Sequence, residues 1–289
     1  MTMVSLIVST LGRVQELEGL LASLDRQTCK NFEVLVVDQN CDDRLCPILT
    51  AHPGLLIRHL RSGRGLSRGR NTALPLAKGD IICFPDDDCW YPEDLLSSVV
   101  TWFDGHPEFA GLFALLRDGD GNPVGPKLPI RACRCTKRSI LTIAASPAGF
   151  LRKQIADAIG LFNENIGVGS DSTYQAGEEC DYFLRPLELG YDMWFEPAFT
   201  VHHPNLHSPG RLRRTTYRYA LGGTYVLRVH GYSLLYPANL VFRSLGGAAL
   251  SLLKFDFENA YIYLLRAAGY IRGYVWGPRD LARLQSRQG

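Results

Sequence analysis

The sequence predicts an α/β fold: a mostly parallel central sheet flanked by helices, followed by a C-terminal amphipathic helical extension. Three observations carry this. Over the first hundred residues, short apolar runs alternate with helix-spaced leucines, as strands buried on both faces and joined by crossover helices do. Acidic or hydroxyl residues stand directly after those runs, at the carboxyl ends where open α/β sheets bind ligands. Beyond residue 204 the composition turns basic and apolar.

Taken in order, residues 4–8 (Val-Ser-Leu-Ile-Val) read as a buried strand, and Leu17, Leu20, Leu21 and Leu24 as one face of a helix. Residues 33–37 form a second strand ending at Asp38, and residues 56–60 a third. Residues 66–77 read as a helix closed by Lys78-Gly79, glycine being a common helix terminator. Residues 81–84 form the next strand and run into Pro85-Asp86-Asp87-Asp88. Residues 109–115 are strand-like, 118–123 a turn, and 155–159 a helix ending at Gly160. A polar loop, 167–177, leads to a helix at 178–185 with acids in its first turn. Residues 193–201 are the last strand, followed by His202-His203-Pro204. The expected domains are 1–204, catalytic, and 205–289, a helical extension for a membrane surface or for dimerisation.

With 46% hydrophobic and 21% charged residues in 289, a sizeable core is expected and global disorder is excluded. A net charge of +2 excludes a dedicated nucleic-acid binder. The charge is uneven: from Asn205 onward twelve Lys/Arg face three Asp/Glu, an excess of nine, which leaves −7 on the first 204 residues. An acidic body suits a cation site, and a basic, apolar tail suits a membrane surface. Between Gly231 and Leu253 the only charge is Arg243. Pro237, Asn239 and Gly246-Gly247 interrupt that stretch, so its uninterrupted pieces fall short of the ~20 apolar residues of a span. An interfacial or homodimer-forming element is expected instead. Eight cysteines show no C-x-x-C, and only Cys133 and Cys135 lie close. With a strand pattern beginning at residue 4 and no basic leader before it, the expectation is a reduced, cytoplasmic protein at the inner face of the membrane.

Four groups of residues could carry chemistry. Asp86-Asp87-Asp88 repel one another unless solvent or a cation relieves them, and Mn²⁺ or Mg²⁺ binds through a few carboxylates plus phosphate oxygens. Glu178, Glu179 and Asp181 either complement a helix dipole or supply a general base. His202-His203 at a strand end can complete a metal shell or contact a phosphate. Gly63, Gly65 and Gly69 faintly evoke a dinucleotide loop, but the spacing is wrong and the loop does not follow the first strand. Alternatively, Arg68 or Arg70 meets a nucleotide's base or phosphates.

Together these motifs resemble family-2 glycosyltransferases of the GT-A fold, over roughly residues 4–204. Residues 4–10 resemble the family's opening strand, which places Ser9 and Thr10 at the nucleotide. Val36-Val-Asp38 resembles the strand whose Asp bonds the donor's base. Arg70-Asn71 resembles an Ala-Arg-Asn element, with Gly69 in place of Ala, which makes Arg70 a nucleotide contact. Phe84-Pro-Asp-Asp-Asp-Cys-Trp-Tyr-Pro92 resembles the D-x-D region. Counting back from Pro92, Asp87 takes the metal position, Asp86 lies near ribose or metal, and Asp88 and His203, or His202, complete the site. Gly160-Leu-Phe-Asn-Glu164 resembles Gly-Gly-Phe-Asp-Glu. Gly177-Glu-Glu-Cys-Asp181 resembles the stretch carrying the base, so Glu179, or Glu178 beside it, is implied as base with Asp181 nearby. Leu11-Gly12 depart from the family's Tyr-Asn.

The resemblance implies an inverting, Mn²⁺- or Mg²⁺-dependent transfer from a nucleotide-diphosphate sugar to a glycan or lipid-linked acceptor, in polysaccharide or lipid-linked glycan synthesis. The rivals are a degenerate nucleotide-binding subunit and, more remotely, an NAD(P)-dependent oxidoreductase. The latter would need a glycine fingerprint after the first strand, where Ser9-Thr-Leu-Gly-Arg13 stands instead.

Overall fold

Eight strands form one sheet in the order β3-β2-β1-β4-β7-β5-β8-β6. They are β1 Val4–Thr10, β2 Phe32–Asp38, β3 Ile57–Arg61, β4 Ile81–Cys83, β5 Phe109–Arg117, β6 Cys133–Arg134, β7 Gly149–Arg152 and β8 Asp192–His202. The helices are α1 Gln15–Asp25, α2 Cys46–Thr50, α3 Leu66–Ala73, α4 Leu95–Gly105, α5 Lys137–Ile143, α6 Lys153–Ile159, α7 Glu178–Glu188, α8 Pro209–Val229, α9 Leu235–Leu253 and α10 Phe257–Gln285. This computed structural model describes residues 2–124, 128–129, 131–204 and 209–285, the last range without side chains at 209–214 and 278–285.

The chain divides into two compact units, one of Met1–Phe162 with Tyr182–Asn205 and one of Asn163–Asp181 with Leu206–Gly289. Residues 163–181, which the sequence reading groups with the catalytic domain, thus belong with the C-terminal helices. The start of the extension, 205–208, lies outside the described residues.

In the first unit, β1 pairs in parallel with β2 and β4, β2 with β3, and β5 with β8. β7 runs antiparallel to both β4 and β5, and β6 antiparallel to β8. The sheet is therefore mostly parallel, as expected. Sequence reading misses β6 and β7, which are two and four residues long, too short to show a period. The helix expected over 66–77 stops at Ala73 and tightens into a 3-10 turn over Leu74–Leu76, because Pro75 has no N–H for the helical ladder.

The core sits where the apolar runs predict. Leu6 and Val8 of β1, Val34 and Val36 of β2, and Leu17, Leu20, Leu21 and Leu24 of α1 are fully buried in one cluster. Truncating one of these leucines to Ala would cost about 2–5 kcal/mol through lost transfer energy and the cavity left behind. The register sets Thr10 beside Asp38 and Asp38 beside Arg61, so three strands end level and present polar groups along one edge.

In the second unit, the aromatic ring of Tyr174 stacks on that of Tyr225 in α8, with centroids 4.3 Å apart. No helix among the described residues is long and apolar enough to cross a membrane. The eight cysteines are free.

Candidate active site

The first unit gathers its polar site by backbone lacing. After β4 the chain turns, with Cys89 N donating to Asp86 O. Trp90 then exchanges N–H···O bonds of 2.9 and 3.0 Å with His202, and His203 N donates to Arg117 O at 2.8 Å. These bonds join the end of β8 to a segment far away in sequence, and they carry His203 to the Asp triplet.

Asp86, Asp88 and His203 converge, each offering one ligand atom within 4.8 Å of the others. His203 Nε2 lies 3.0 Å from Asp88 Oδ1 and 3.9 Å from Asp86 Oδ2. The ring's Nδ1–H donates to Pro204 O at 2.8 Å, which leaves Nε2 facing the carboxylates. Asp88 Oδ1 is buried and accepts no hydrogen bond among the described residues, so the short approach of His203 is an ion pair without hydrogen-bond alignment. A buried carboxylate oxygen in that state is what a cation would satisfy. Two carboxylates and an imidazole fit a divalent ion of the Mn²⁺/Mg²⁺ class.

Asp87 and His202 do not join this group. Asp87 instead accepts from Arg13 Nη1 at 2.7 Å. His202 stacks its ring on Trp90, with centroids 5.4 Å apart and planes at 8°. Asp87, to which counting assigns the metal position, therefore lies outside the group of Asp86, Asp88 and His203 that could hold a divalent ion. Three consecutive residues in a turn project in different directions, which a linear count cannot register.

The charges are balanced locally. Arg13 Nη1 also donates to Asp88 at 2.6 Å. Burial pushes the Asp88 carboxyl up, but His203 and Arg13 outweigh it and hold it below the usual range. Burial opposes charge on His203, but Asp88, the Pro204 carbonyl and Asp86 outweigh it and raise the imidazole's pKa. For Asp87 burial prevails over Thr10 and Arg13, and its carboxyl is raised.

Along the strand ends, Asp38 is fully buried. It accepts from Asn40 N and Nδ2 at 2.8 and 2.7 Å, lies 2.9 Å from Arg61 Nη1 and is 3.0 Å from His59 Nε2. Thr10 is buried, and the Ser9 hydroxyl is buried with no hydrogen bond among the described residues. A Cβ on Gly69 would come within 2.5 Å of that hydroxyl and 2.7 Å of Gln39 Nε2. Glycine therefore stands where the resembling motif has Ala, because α3 approaches β1 too closely for a side chain. Arg70 is 1% exposed and sits over the rings of Phe84 and Phe162, at 5.7 and 5.2 Å, with Nη2 3.6 Å from Asp86. Asn71 fixes Phe162 by exchanging hydrogen bonds with its backbone at 2.8 and 2.9 Å.

The second unit holds the other acids, at the start of α7. Asp181 is buried and pairs with His230 Nε2 at 3.0 Å. Glu178 is buried and Glu179 half-exposed, so Glu179 is the carboxylate best placed to meet solvent or a ligand. Sequence reading misses Arg13, His59, Arg61 and His230. Arg13 has a usable signal, a cation just beyond the first strand of an acidic site. The others have none, since only folding brings them to their partners.

A family model described as Glycosyl transferase family 2 matches residues 5–160. An uncharacterized glycosyltransferase of Haemophilus influenzae is 27% identical over 212 residues, 70% of this chain and 66% of its own. Across the curated relatives the matched stretch spans as little as 26% of their length. Among solved structures, S. aureus TarS 1–349 in complex with UDP-GlcNAc aligns with a TM-score of 0.60 at 17% identity, over 94% of this chain and 92% of that one. The mannosyltransferase PcManGT of Pyrobaculum calidifontis, in complex with GDP-Man and Mn²⁺, aligns with a TM-score of 0.60 at 18% identity, over 93% and 87%. These likenesses establish the GT-A fold.

Proposed function

The chain belongs to glycosyl transferase family 2, and from that premise we propose that it transfers a sugar from a nucleotide-diphosphate donor to an acceptor hydroxyl, with inversion at the anomeric carbon. The observation that carries the reading is the convergence of Asp86, Asp88 and His203, with an Asp88 oxygen left unsatisfied. Asp86, Asp88 and His203 would hold Mn²⁺ or Mg²⁺, which when bound supplies positive charge for the leaving diphosphate. The donor complexes of the two structural neighbours, one of them with Mn²⁺, support this donor class and cation.

Each residue then has a task. Asp38, Ser9 and Thr10 line the strand ends where base and ribose bind. Arg70, held against the rings of Phe84 and Phe162, orients Asp86. Arg13 offsets the repulsion between Asp87 and Asp88. In the second unit, Asp181 and His230 anchor the first turn of α7, and Glu179 takes the acceptor proton. The acceptor oxygen bonds to the anomeric carbon as the bond to the diphosphate breaks with its electron pair. The sugar passes through an oxocarbenium-like state. The acceptor class is a glycan or lipid-linked sugar at a membrane, supported by the basic, apolar extension.

Melting curves with UDP, GDP and their sugars, with and without Mn²⁺, test the reading. A native-state ligand raises the melting temperature, so one diphosphate series should stabilise the protein only when Mn²⁺ is present. If none does, the donor assignment fails.

A further inference from the structure

In the second unit, α9 carries large apolar side chains outward and small ones inward. In α9 the buried positions are Pro237, Ser244 and Ala248. Gly247 lies under Tyr263, whose ring would be 2.8–2.9 Å from an added Cβ. On the outer side Leu235 is 80% exposed, Phe242 76% and Leu253 77%, with Leu245 and Leu250 exposed between them. Water does not favour that arrangement, since the apolar face of a water-facing helix turns to the core. Helices that contact one another through small residues and present large apolar ones outward are typical of a lipid environment.

The turn after α9 sharpens the point. Phe255 is the one non-glycine residue at positive φ (57°) among the described residues. Phe255 N donates to Leu252 O and Asp256 N to Ser251 O, a helix terminus that usually places glycine at this position. A bulky residue there is strained, and this ring is 80% exposed, so no packing offsets the strain. Phe257, 66% exposed, follows.

We propose that the α9–α10 hairpin is a shallow anchor for an anionic lipid surface, with Leu253, Phe255 and Phe257 entering the acyl boundary. Charge complementarity selects this occupant. Arg228, Arg243, Lys254 and Arg272 are exposed in this unit and outnumber Asp256 and Glu258 at the turn, residues 231–253 hold no acid, and a net positive charge beside an apolar face matches anionic headgroups. A second copy of the chain would bring the same cations to the same face. The inference gives a location to the membrane contact proposed above, and it does not depend on the acidic site's chemistry.

Flotation of the full chain with phosphatidylglycerol-rich and with phosphatidylcholine vesicles tests it, beside sedimentation velocity and Mn²⁺-dependent nucleotide binding. The chain should float with the anionic vesicles, and high salt should release only part of it, since screening removes attraction but not insertion. Phe255→Gly should raise the melting temperature by relieving the backbone, yet reduce vesicle binding about tenfold through the lost apolar burial. Leu253→Ser should weaken binding without changing the fold. Absence of flotation, or unchanged flotation of both variants, overturns the anchor. So does a lipid-free dimer that Leu253→Ser splits, which assigns the face to a second copy. Flotation without nucleotide binding leaves the anchor standing and removes the transferase reading.

Discussion

The two acidic clusters differ in how they keep crowded carboxylates in place. Residues 86–88 lie in a turn after a buried strand, where Asp87 and Asp88 share Arg13 Nη1 and Asp86 and Asp88 face His203. Residues 178–181 lie in the first turn of a helix, and Asp181 is secured by His230. One cluster is ordered by convergence from distant segments, the other by local geometry and one clamp. Adjacency in sequence is thus a poor guide to which carboxylates meet His203 in the first cluster.

The largest effect should fall on the helical cluster. Glu179→Gln keeps the size and removes the basicity, and turnover should drop ~10²–10⁴-fold while donor affinity stays near wild type. Loss confined to Glu178→Gln would move the base one residue earlier. In the strand-end cluster, Asp88→Asn should lower turnover on the order of 10³-fold, given the several kcal/mol a metal contributes, and should abolish Mn²⁺-dependent nucleotide stabilisation. Asp87→Asn should keep most of the metal response. A reversed ranking in metal titrations would restore Asp87 to the metal and break the contrast between the clusters.

His230→Ala tests the clamp. It leaves the buried Asp181 short of a partner and should lower stability by about 1–3 kcal/mol in denaturant unfolding, with Mn²⁺ binding unchanged. The smallest effect is a pH dependence confined to the strand-end cluster. His203 is raised in the metal-free fold, so its contribution is full below its ordinary value of 6.5 and is lost as pH rises through the folded value. Asp88 is lowered, so its contribution holds above 3.8 and is lost as pH falls through its folded value. Mn²⁺ competes with the proton on Nε2. Its effect on the melting temperature should therefore be larger at about pH 8 than at about pH 6, and equal shifts would remove His203 from the ligand set.

The sequence by itself determined most of the sheet and the place of the candidate site. Residues 4–8, 33–37 and 81–84 announce buried strands because the hydrophobic pattern is a local property of the chain, and the acids after them mark the ligand edge. The helical extension and its basic character were equally legible. Tertiary structure alone decided which of three adjacent aspartates meets His203, that His203 and not His202 is the inward one, that Arg13 and His230 are their counter-charges, and that 163–181 belongs with the C-terminal helices. It also decided which face of α9 is covered. Composition marks that stretch as apolar, but which side is packed depends on what lies against it, as with Tyr263 over Gly247. The direction of a side chain in a turn, and the identity of a partner far along the chain, are set by packing between segments, and a one-dimensional pattern carries no record of that.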